Sequence, residues 1–271
     1  MTKVIAWNIA GHAEAWQRLA SSDADIALLQ EAREPPTAVA TKIAVDAAPW
    51  QTGASRKWRT AVVGLSNRVA LQRFETKPLG DAREGEIGVS RPGTLSAAIV
   101  TPSSGEAFLA LSIYGAWEEP HPSTPGKFIY ADASVHRLIS DLSVFIGKRG
   151  NRDILVAGDL NILYGYGENG DEYWGRRYDT VFDRMAALNL EFVGPQAPHG
   201  RIAEPWPAEL PRTSKNVPTY YTKRQSPTTC TRQLDFVFAS RGLAKRLHVR
   251  ALNGQEEWGP SDHCQVEIEI D

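Results

Sequence analysis

Eight short runs of β-branched and apolar residues, spread over the whole chain, constrain its fold more than any other feature of the sequence. They are Val4–Ile9, Ile26–Gln30, Thr60–Ser66, Leu95–Thr101, Phe108–Tyr114, Ile154–Gly158, Leu234–Ala239 and Gln265–Ile270. So many strands exceed one small sheet, and continuous apolar stretches such as Ile154–Ala157 need burial on both faces. Helical periodicity is confined to Ala13–Ala20, to Ala131–Ile146 with Val135, Leu138, Ile139, Leu142 and Phe145 on one stripe, and to Thr180–Leu188. The pattern predicts a layered α/β sandwich in which sheets stack on each other under a cover of helices. There is no internal repeat, low-complexity tract or linker, and the Pro-rich stretches 34–36, 120–125 and 195–211 read as loops. A single domain over residues 1–271 is expected.

Composition narrows the function classes. The formal net charge of −2 carries no global basic signature. This argues against a passive nucleic-acid coat protein, although an enzyme that gathers carboxylates around a metal can be acidic overall. No apolar run approaches the roughly 18 residues that span a bilayer, so no membrane partner is expected. The two cysteines, Cys230 and Cys264, are too few for a disulfide framework. The first strand-like run begins almost at Met1, with no secretion signal before it, and a cytoplasmic location is the expectation. Oligomeric state is not legible.

The chemistry sits where strands end. Asn8 follows Val-Ile-Ala-Trp, Glu31 follows Ala-Leu-Leu-Gln, Asp159 follows Leu-Val-Ala-Gly, and Asp262-His263 precede Gln-Val-Glu-Ile. Polar groups at strand edges converge readily. In Asp159-Leu160-Asn161 the two polar residues are two apart, so on an extended backbone they face one side while Leu160 faces the other. Asp262-His263 offers a carboxylate beside an imidazole, as metal ligation next to proton transfer demands. Asp235, opening the strand Phe236-Val237-Phe238, is placed to hold an imidazole in one orientation, with His263 as the natural partner.

Taken in order, Trp-Asn8-Ile-Ala-Gly, Leu-Gln-Glu31, Ser-Ile-Tyr114, Ala-Gly-Asp159-Leu-Asn161, Gln-Leu-Asp235-Phe-Val-Phe and Ser-Asp262-His263-Cys resemble the endonuclease/exonuclease/phosphatase superfamily, which contains exonuclease III, the apurinic endonucleases and DNase I. The resemblance spans nearly the whole chain. It implies a DNase I-like four-layered α/β sandwich, two packed mixed β-sheets flanked by helices, with the site at one rim. It further implies Mg²⁺ or Mn²⁺ held chiefly by Glu31, helped by Asn8 and Asp262. Oxygen donors of this kind suit hard cations and not zinc. By the same resemblance Asp159 orients or deprotonates the attacking water, Asn161 positions phosphate and water, and Tyr114 contacts phosphoryl oxygens. His263 with Asp235 would stabilise the pentacovalent charge.

Two departures bear on specificity. Relatives acting on duplex DNA often carry an acid or amide two residues after the first Asn, where this chain has Ala10. Abasic-site enzymes usually follow the motif tyrosine with Pro-Asn, where this chain has Gly115-Ala116-Trp117.

Three segments are candidates for substrate contact. In Tyr164–Tyr178, the aromatics Tyr166, Tyr173 and Trp174 could stack on unpaired bases while Arg176 and Arg177 hold phosphates. The alternative is a structured loop whose aromatics pack on the body and whose arginines pair with Glu168, Asp171, Glu172 or Asp179. In Pro218–Arg224, Lys223 and Arg224, with Arg232 beyond, could face a phosphate backbone, while Tyr220 or Tyr221 packs in the core. Arg56-Lys57-Trp58-Arg59 reads as a solvated turn or a phosphate-facing rim. Cys264, next to His263, is expected to pack and not to act as a nucleophile.

Three functions stay open at this level. The first is a nuclease on DNA, more than RNA, that leaves a 5′-phosphate. The second is a phosphatase or phosphodiesterase on a phosphoinositide or another small phosphorylated molecule. The third is a non-catalytic binding module on the same fold.

Overall fold

The structure is a computed structural model that describes residues 1–53, 56–117, 123, 130–146 and 152–271. Its strands are β1 (Thr2–Asn8), β2 (Ile26–Ala32), β3 (Arg59–Gly64), β4 (Val69–Arg73), β5 (Thr76–Pro78), β6 (Ile87–Val89), β7 (Leu95–Pro102), β8 (Phe108–Tyr114), β9 (Asp153–Asp159), β10 (Leu190–Gly194), β11 (Asp235–Ser240), β12 (Leu247–Leu252) and β13 (Gln265–Ile270). The helices are α1 (Ala13–Ala20), α2 (Thr37–Ala40), α3 (Ala131–Leu142), α4 (Glu172–Ala187) and α5 (Arg241–Ala244).

Two mixed sheets face each other. One has the order β12-β13-β1-β2-β3, the other β10-β11-β9-β8-β7-β4. Each contains one parallel pair, β1 with β2 and β8 with β9, among antiparallel neighbours. Period-two alternation sorts the side chains into layers. Val4, Ala6, Ile26 and Leu28 of the first sheet meet Ala110, Leu155, Ala157 and Val237 of the second in the central layer. On the outer face of the second sheet, Leu109, Leu111, Val156, Phe236 and Phe238 pack under α3 and α4, through Val135, Leu138, Ile139, Val181 and Met185. On the outer face of the first, Ile5, Trp7, Ala27 and Leu29 pack under α1 through Ala15, Trp16 and Leu19. Helix, sheet, sheet, helix is the four-layered sandwich expected from the sequence.

All eight expected strands form, with ends shifted by up to two residues. Five further strands complete the sheets or form the small β5–β6 pair. The largest change is α4, which begins at Glu172 instead of Thr180, because Asp171 caps it by accepting the Tyr173 N–H at 2.7 Å. Tyr173, Trp174, Arg176 and Arg177 therefore stand on a helix and not in a loop. Expected helix 131–146 ends at Leu142, followed by a 3₁₀ turn over Ser143–Phe145. The Pro-rich stretches 34–36 and 195–211 carry no helix or strand, while 120–125, Ser123 apart, lies outside the described residues. Among the described residues no helix is long and apolar enough to cross a membrane.

Candidate active site

The same alternation that builds the central layer also builds the site. Ala110, Ser112 and Tyr114 share one face of β8, Leu155, Ala157 and Asp159 one face of β9, and Asp235, Val237 and Ala239 one face of β11. Register places Tyr114 opposite Asp159, and Asp159 opposite Asp235. On the facing sheet Val4, Ala6 and Asn8 form the matching stripe, with Asn8 paired to Gln30. At one rim each apolar stripe thus ends in a polar residue, and the polar ends face each other.

The hydrogen bonds across this rim are short and numerous. Asn8 Nδ2 donates to Asp159 Oδ2 at 2.9 Å and to Glu31 Oε1 at 3.2 Å. Tyr114 Oη donates to the same Glu31 oxygen at 2.8 Å. Asp159 Oδ1 accepts the Asn161 backbone N–H at 2.8 Å, and its Oδ2 accepts Asn161 Nδ2 at 3.1 Å. His263 Nδ1 lies 2.8 Å from Asp235 Oδ2, while Nε2 points toward Asp159 Oδ2 at 3.6 Å. Thr219 Oγ1 accepts the N–H groups of both Leu234 and Asp235, fixing the start of β11. Ser261 Oγ donates to the Asn8 carbonyl at 2.7 Å, which ties the Asp262-His263 turn to the end of β1.

Three rim residues adopt left-handed backbone: Ala10 (φ 45°), Glu31 (φ 48°) and Asn161 (φ 52°). Such conformations cost free energy in non-glycine residues and persist where the surroundings over-determine them. Glu31 sits in a break of register between Leu29 and Ala32 on β2, which turns its carboxylate toward the cleft. Asn161 reaches Asp159 through this turn and not, as expected, along an extended strand, since β9 ends at Asp159. Leu160 still enters the apolar layer under α3 and α4. Gly115 explains one departure in the sequence. A Cβ there would stand 2.2 Å from the Leu160 carbonyl oxygen, so only glycine lets β8 run this close to the turn after β9. The Gly115 carbonyl accepts Asn161 Nδ2 at 3.0 Å.

Burial sets the protonation of the centre. It pushes the Asp159 carboxyl up to about 7, with Asp235 adding to the rise and His263 and Asn8 opposing it. Burial alone would lower His263, but the carboxylates of Asp235 and Asp159 override it and push the imidazole up to about 10. His263 is therefore a cation at neutral pH, wedged between two carboxyl groups. Burial, with the Glu31 charge, holds the Tyr114 hydroxyl well above its ordinary value, so it stays a donor.

Around this centre lies a cleft of about 230 Å³. Glu31, Asp159, Asn161, Asp262 and His263 line it, while Asn8, Tyr114 and Asp235 stand behind them. Glu31 and Asp262 line the cleft with carboxylate oxygens, the donor type that a hard divalent ion takes. Glu31 Oε2 takes no hydrogen bond from the described residues. Asn8 turns its amide nitrogen, not its oxygen, to the carboxylates, and its Oδ1 accepts the Ala10 N–H at 3.0 Å. In this arrangement Asn8 bridges the two carboxylates, and its expected part in metal binding belongs to the proposal below. Among the described residues no group of three or more His, Cys, Asp or Glu forms a metal cage. A cation held by two carboxylates, water and substrate oxygens is the manner of Mg²⁺, so the donor set fits. Ala10 lines the cleft and offers no side-chain oxygen for a second ion.

Sequence reasoning overlooked part of the wall. Trp117 and Tyr220 line the cleft, Tyr220 with its ring 4.8 Å from His263. Tyr221 packs on Trp258 instead. Among the described lining residues Arg232 is the only lysine or arginine, and its guanidinium makes paired bonds to Glu168, Nη2 to Oε2 at 2.6 Å and Nη1 to Oε1 at 3.2 Å. The signal for Tyr220 was its place in the strap 217–220 that bridges Arg232 and His263, which no local pattern reveals. The other candidate cations are placed elsewhere. Arg177 pairs with buried Asp132 of α3 at 2.6 Å and Arg176 with Glu172 at 2.8 Å. Lys223 and Arg224 are exposed on a turn outside the cleft. Arg59 is buried against Asp46 and over the Trp50 ring, while Trp58 meets Tyr114 edge-on at 4.8 Å.

Comparison with known proteins adds to this geometry. Residues 5–263 match the Endonuclease/Exonuclease/phosphatase family. No curated protein sequence is a significant match. Among solved structures, the 3′-5′ exonuclease NExo from Neisseria meningitidis is similar over 100% of both chains, with 20% identity and a TM-score of 0.62. The APE2 catalytic domain from Xenopus laevis aligns over 99% of this chain and 91% of its own, at 14% identity and a TM-score of 0.65. The endonuclease domain of TRAS1, a telomere-specific non-LTR retrotransposon, aligns over 100% and 98%, at 16% identity and 0.62. These likenesses show the fold.

Proposed function

We propose, on the premise that this chain belongs to the Endonuclease/Exonuclease/phosphatase family, that it is a divalent-metal-dependent phosphodiesterase acting on nucleic acid, DNA in preference to RNA. Water attacks phosphorus and a 5′-phosphate is left. The observation that carries this reading is the meeting of Asp159, Asn161, His263 and Glu31, from distant parts of the sequence, around one cleft. Proteins of the same fold include the TRAS1 endonuclease domain and NExo, a 3′-5′ exonuclease and 3′ phosphatase seen bound to a product DNA hairpin, and this supports nucleic acid as the substrate.

Glu31 and Asp262 would hold Mg²⁺ or Mn²⁺, with Asn8 keeping Glu31 in place. When bound, the ion supplies Lewis-acid polarisation of a phosphoryl oxygen and relief of charge on the leaving oxygen. Asp159 orients the attacking water and takes its proton, a role that suits a carboxyl raised to about 7. Its other bonds, from Asn8 and Asn161, fix the direction from which water is presented. His263, kept protonated by Asp235, donates to the oxygens that gain charge as the fifth bond forms. Asn161, on the wall of the cleft beside Asp159, positions the phosphate and the water. Tyr114 orients Glu31 through its hydroxyl, and by the family resemblance it would contact a phosphoryl oxygen of the bound substrate. Tyr173, Trp174, Arg176, Arg177, Lys223 and Arg224 belong to the outer, substrate-facing surface.

We read residues 1–271 as one domain. The buried, unpaired Cys230 and Cys264 suit a reducing cytoplasm. A small phosphoester is the second reading, favoured by a cleft of about 230 Å³, on the scale of a small phosphorylated molecule. Incubation with labelled DNA, RNA and inositol phosphates, with Mg²⁺, with Mn²⁺ and with chelator, decides between them. Metal-dependent shortening of oligonucleotides to products with 5′-phosphates is expected. Turnover of the inositol phosphate with intact oligonucleotides would replace the first reading by the second.

A further inference from the structure

The wall of the cleft continues outward as a row of rings. Trp117 lines the cleft and is 43% exposed. Its ring meets Tyr130, at the start of α3, at 5.7 Å. Tyr130 meets Trp174 of α4 at 4.2 Å, and Trp174 meets Tyr173 at 5.1 Å. Tyr130 is 43% exposed and Tyr173 58%. Trp174 packs against the apolar layer beneath, and so anchors the row. Exposed large aromatics in mutual contact, continuous with a reaction cleft, mark a binding surface more than a folding requirement.

The charges nearby say what such a surface takes. Arg177 lies over the rings of Tyr173 and Trp174, at 5.6 and 5.1 Å, but its guanidinium is bonded to Asp132. Arg176 is paired with Glu172 and Arg232 with Glu168. Among the described residues the row therefore presents π faces and little unbalanced positive charge, on a chain whose net charge is −2. A duplex offers a phosphate surface and hides the faces of its bases. An unpaired strand offers those faces, and stacking on aromatics is insensitive to base identity.

From the continuity of these rings with the cleft we infer that Trp117, Tyr130, Trp174 and Tyr173 form a stacking track for the bases of a single-stranded nucleic acid whose phosphodiester lies in the cleft. This rests on the reading of the cleft given above and fixes its substrate class. The track binds through bases, so its share of the affinity should hardly depend on salt.

The test separates binding from turnover. Anisotropy titrations of the full chain, in chelator, use labelled oligo-dT, oligo-U and a mixed-sequence duplex. Single strands should bind at least roughly tenfold tighter than duplex. Tyr130→Ala with Tyr173→Ala should weaken single-strand binding by roughly tenfold or more, with an unchanged slope against log salt. Tyr130→Phe with Tyr173→Phe should keep the affinity, because the rings remain. Circular dichroism melts establish that the variants fold. Quenching of tryptophan emission by oligo-dT in the unaltered protein needs no variant at all. Binding of either oligo-dT or oligo-U through the rings supports the track. Equal affinity for duplex and single strands, or alanine variants that bind single strands as the parent does, would overturn it. A protein that binds single strands through these rings yet hydrolyses no phosphoester would support the track and refute the nuclease reading.

Discussion

The reaction rim and the aromatic surface of α3 and α4 lie side by side and are built on opposite principles. At the rim, Asn8, Asp159, Asp235 and His263 are buried, and each makes hydrogen bonds of 2.8–2.9 Å to another member. On the aromatic surface the rings touch one another at 4.2–5.7 Å, with Trp117, Tyr130 and Tyr173 exposed, and the cations are tied to acids on the same two helices. The difference follows from what each must tolerate. Chemistry at phosphorus requires groups held to within fractions of an ångström, which low dielectric and shared hydrogen bonds provide. Stacking accepts any base in many offsets, which exposed rings provide.

The comparison can be broken most directly at its buried end. Asp159→Asn keeps the volume of the side chain and removes its charge, and should lower kcat on any cleaved oligonucleotide by roughly 10²–10⁴-fold. Single-turnover kinetics measure it, and a variant within tenfold of the parent would mean that Asp159 is not the base. Gly115→Ala should also act on the rim, through geometry. Its Cβ meets backbone at 2.2 Å, so the ends of β8 and β9 must part, with a loss of about 1–3 kcal/mol in urea unfolding and a fall in kcat. Arg177→Ala, on the aromatic side, leaves the Asp132 carboxylate buried without its partner. A stability loss of about 1.5–3 kcal/mol is expected, with kcat on a minimal dinucleotide little changed. Arg176→Ala breaks an exposed i,i+4 pair and should shift stability by no more than about 0.5 kcal/mol, near the limit of a thermal melt.

The two regions also differ in how far the sequence reveals them. Central strands such as β8 and β9 read plainly, because burial on both faces leaves uninterrupted apolar runs. Edge strands that stay partly open to solvent do not. Val69–Arg73 alternates half-buried with exposed residues and Leu247–Leu252 buried or half-buried with exposed ones, and they carry Arg73, His248 and Arg250, so their apolar signal is diluted. The rim was legible in outline because its residues terminate apolar runs. Its details were not: the left-handed turn at Asn161 and the nitrogen-first orientation of Asn8 depend on contacts between segments about 150 residues apart. The first two turns of α4 were hidden by Gly175 and by a run of rings and arginines without helical periodicity. Gly175 is tolerated because the chain at Gly167 passes close against it. Asp171 was the visible clue, as a helix cap two residues ahead of Tyr173.

Beneath the rim, Gln30 Nε2 donates to Ser112 Oγ at 2.8 Å, and Ser112 Oγ donates in turn to the Leu29 carbonyl at 2.7 Å, joining the two sheets within the central layer. This latch makes the stagger of one sheet on the other discrete. Slippage by a single residue would leave an amide and a hydroxyl stranded among alkyl groups and would carry Asn8 away from Asp159. Insertions and deletions inside β1, β2, β8 or β9 are thereby forbidden, whereas the connections beyond their ends are free to lengthen or change. Diversification of this scaffold toward new substrates is channelled into its loops, with the spacing of the reacting groups inherited unchanged.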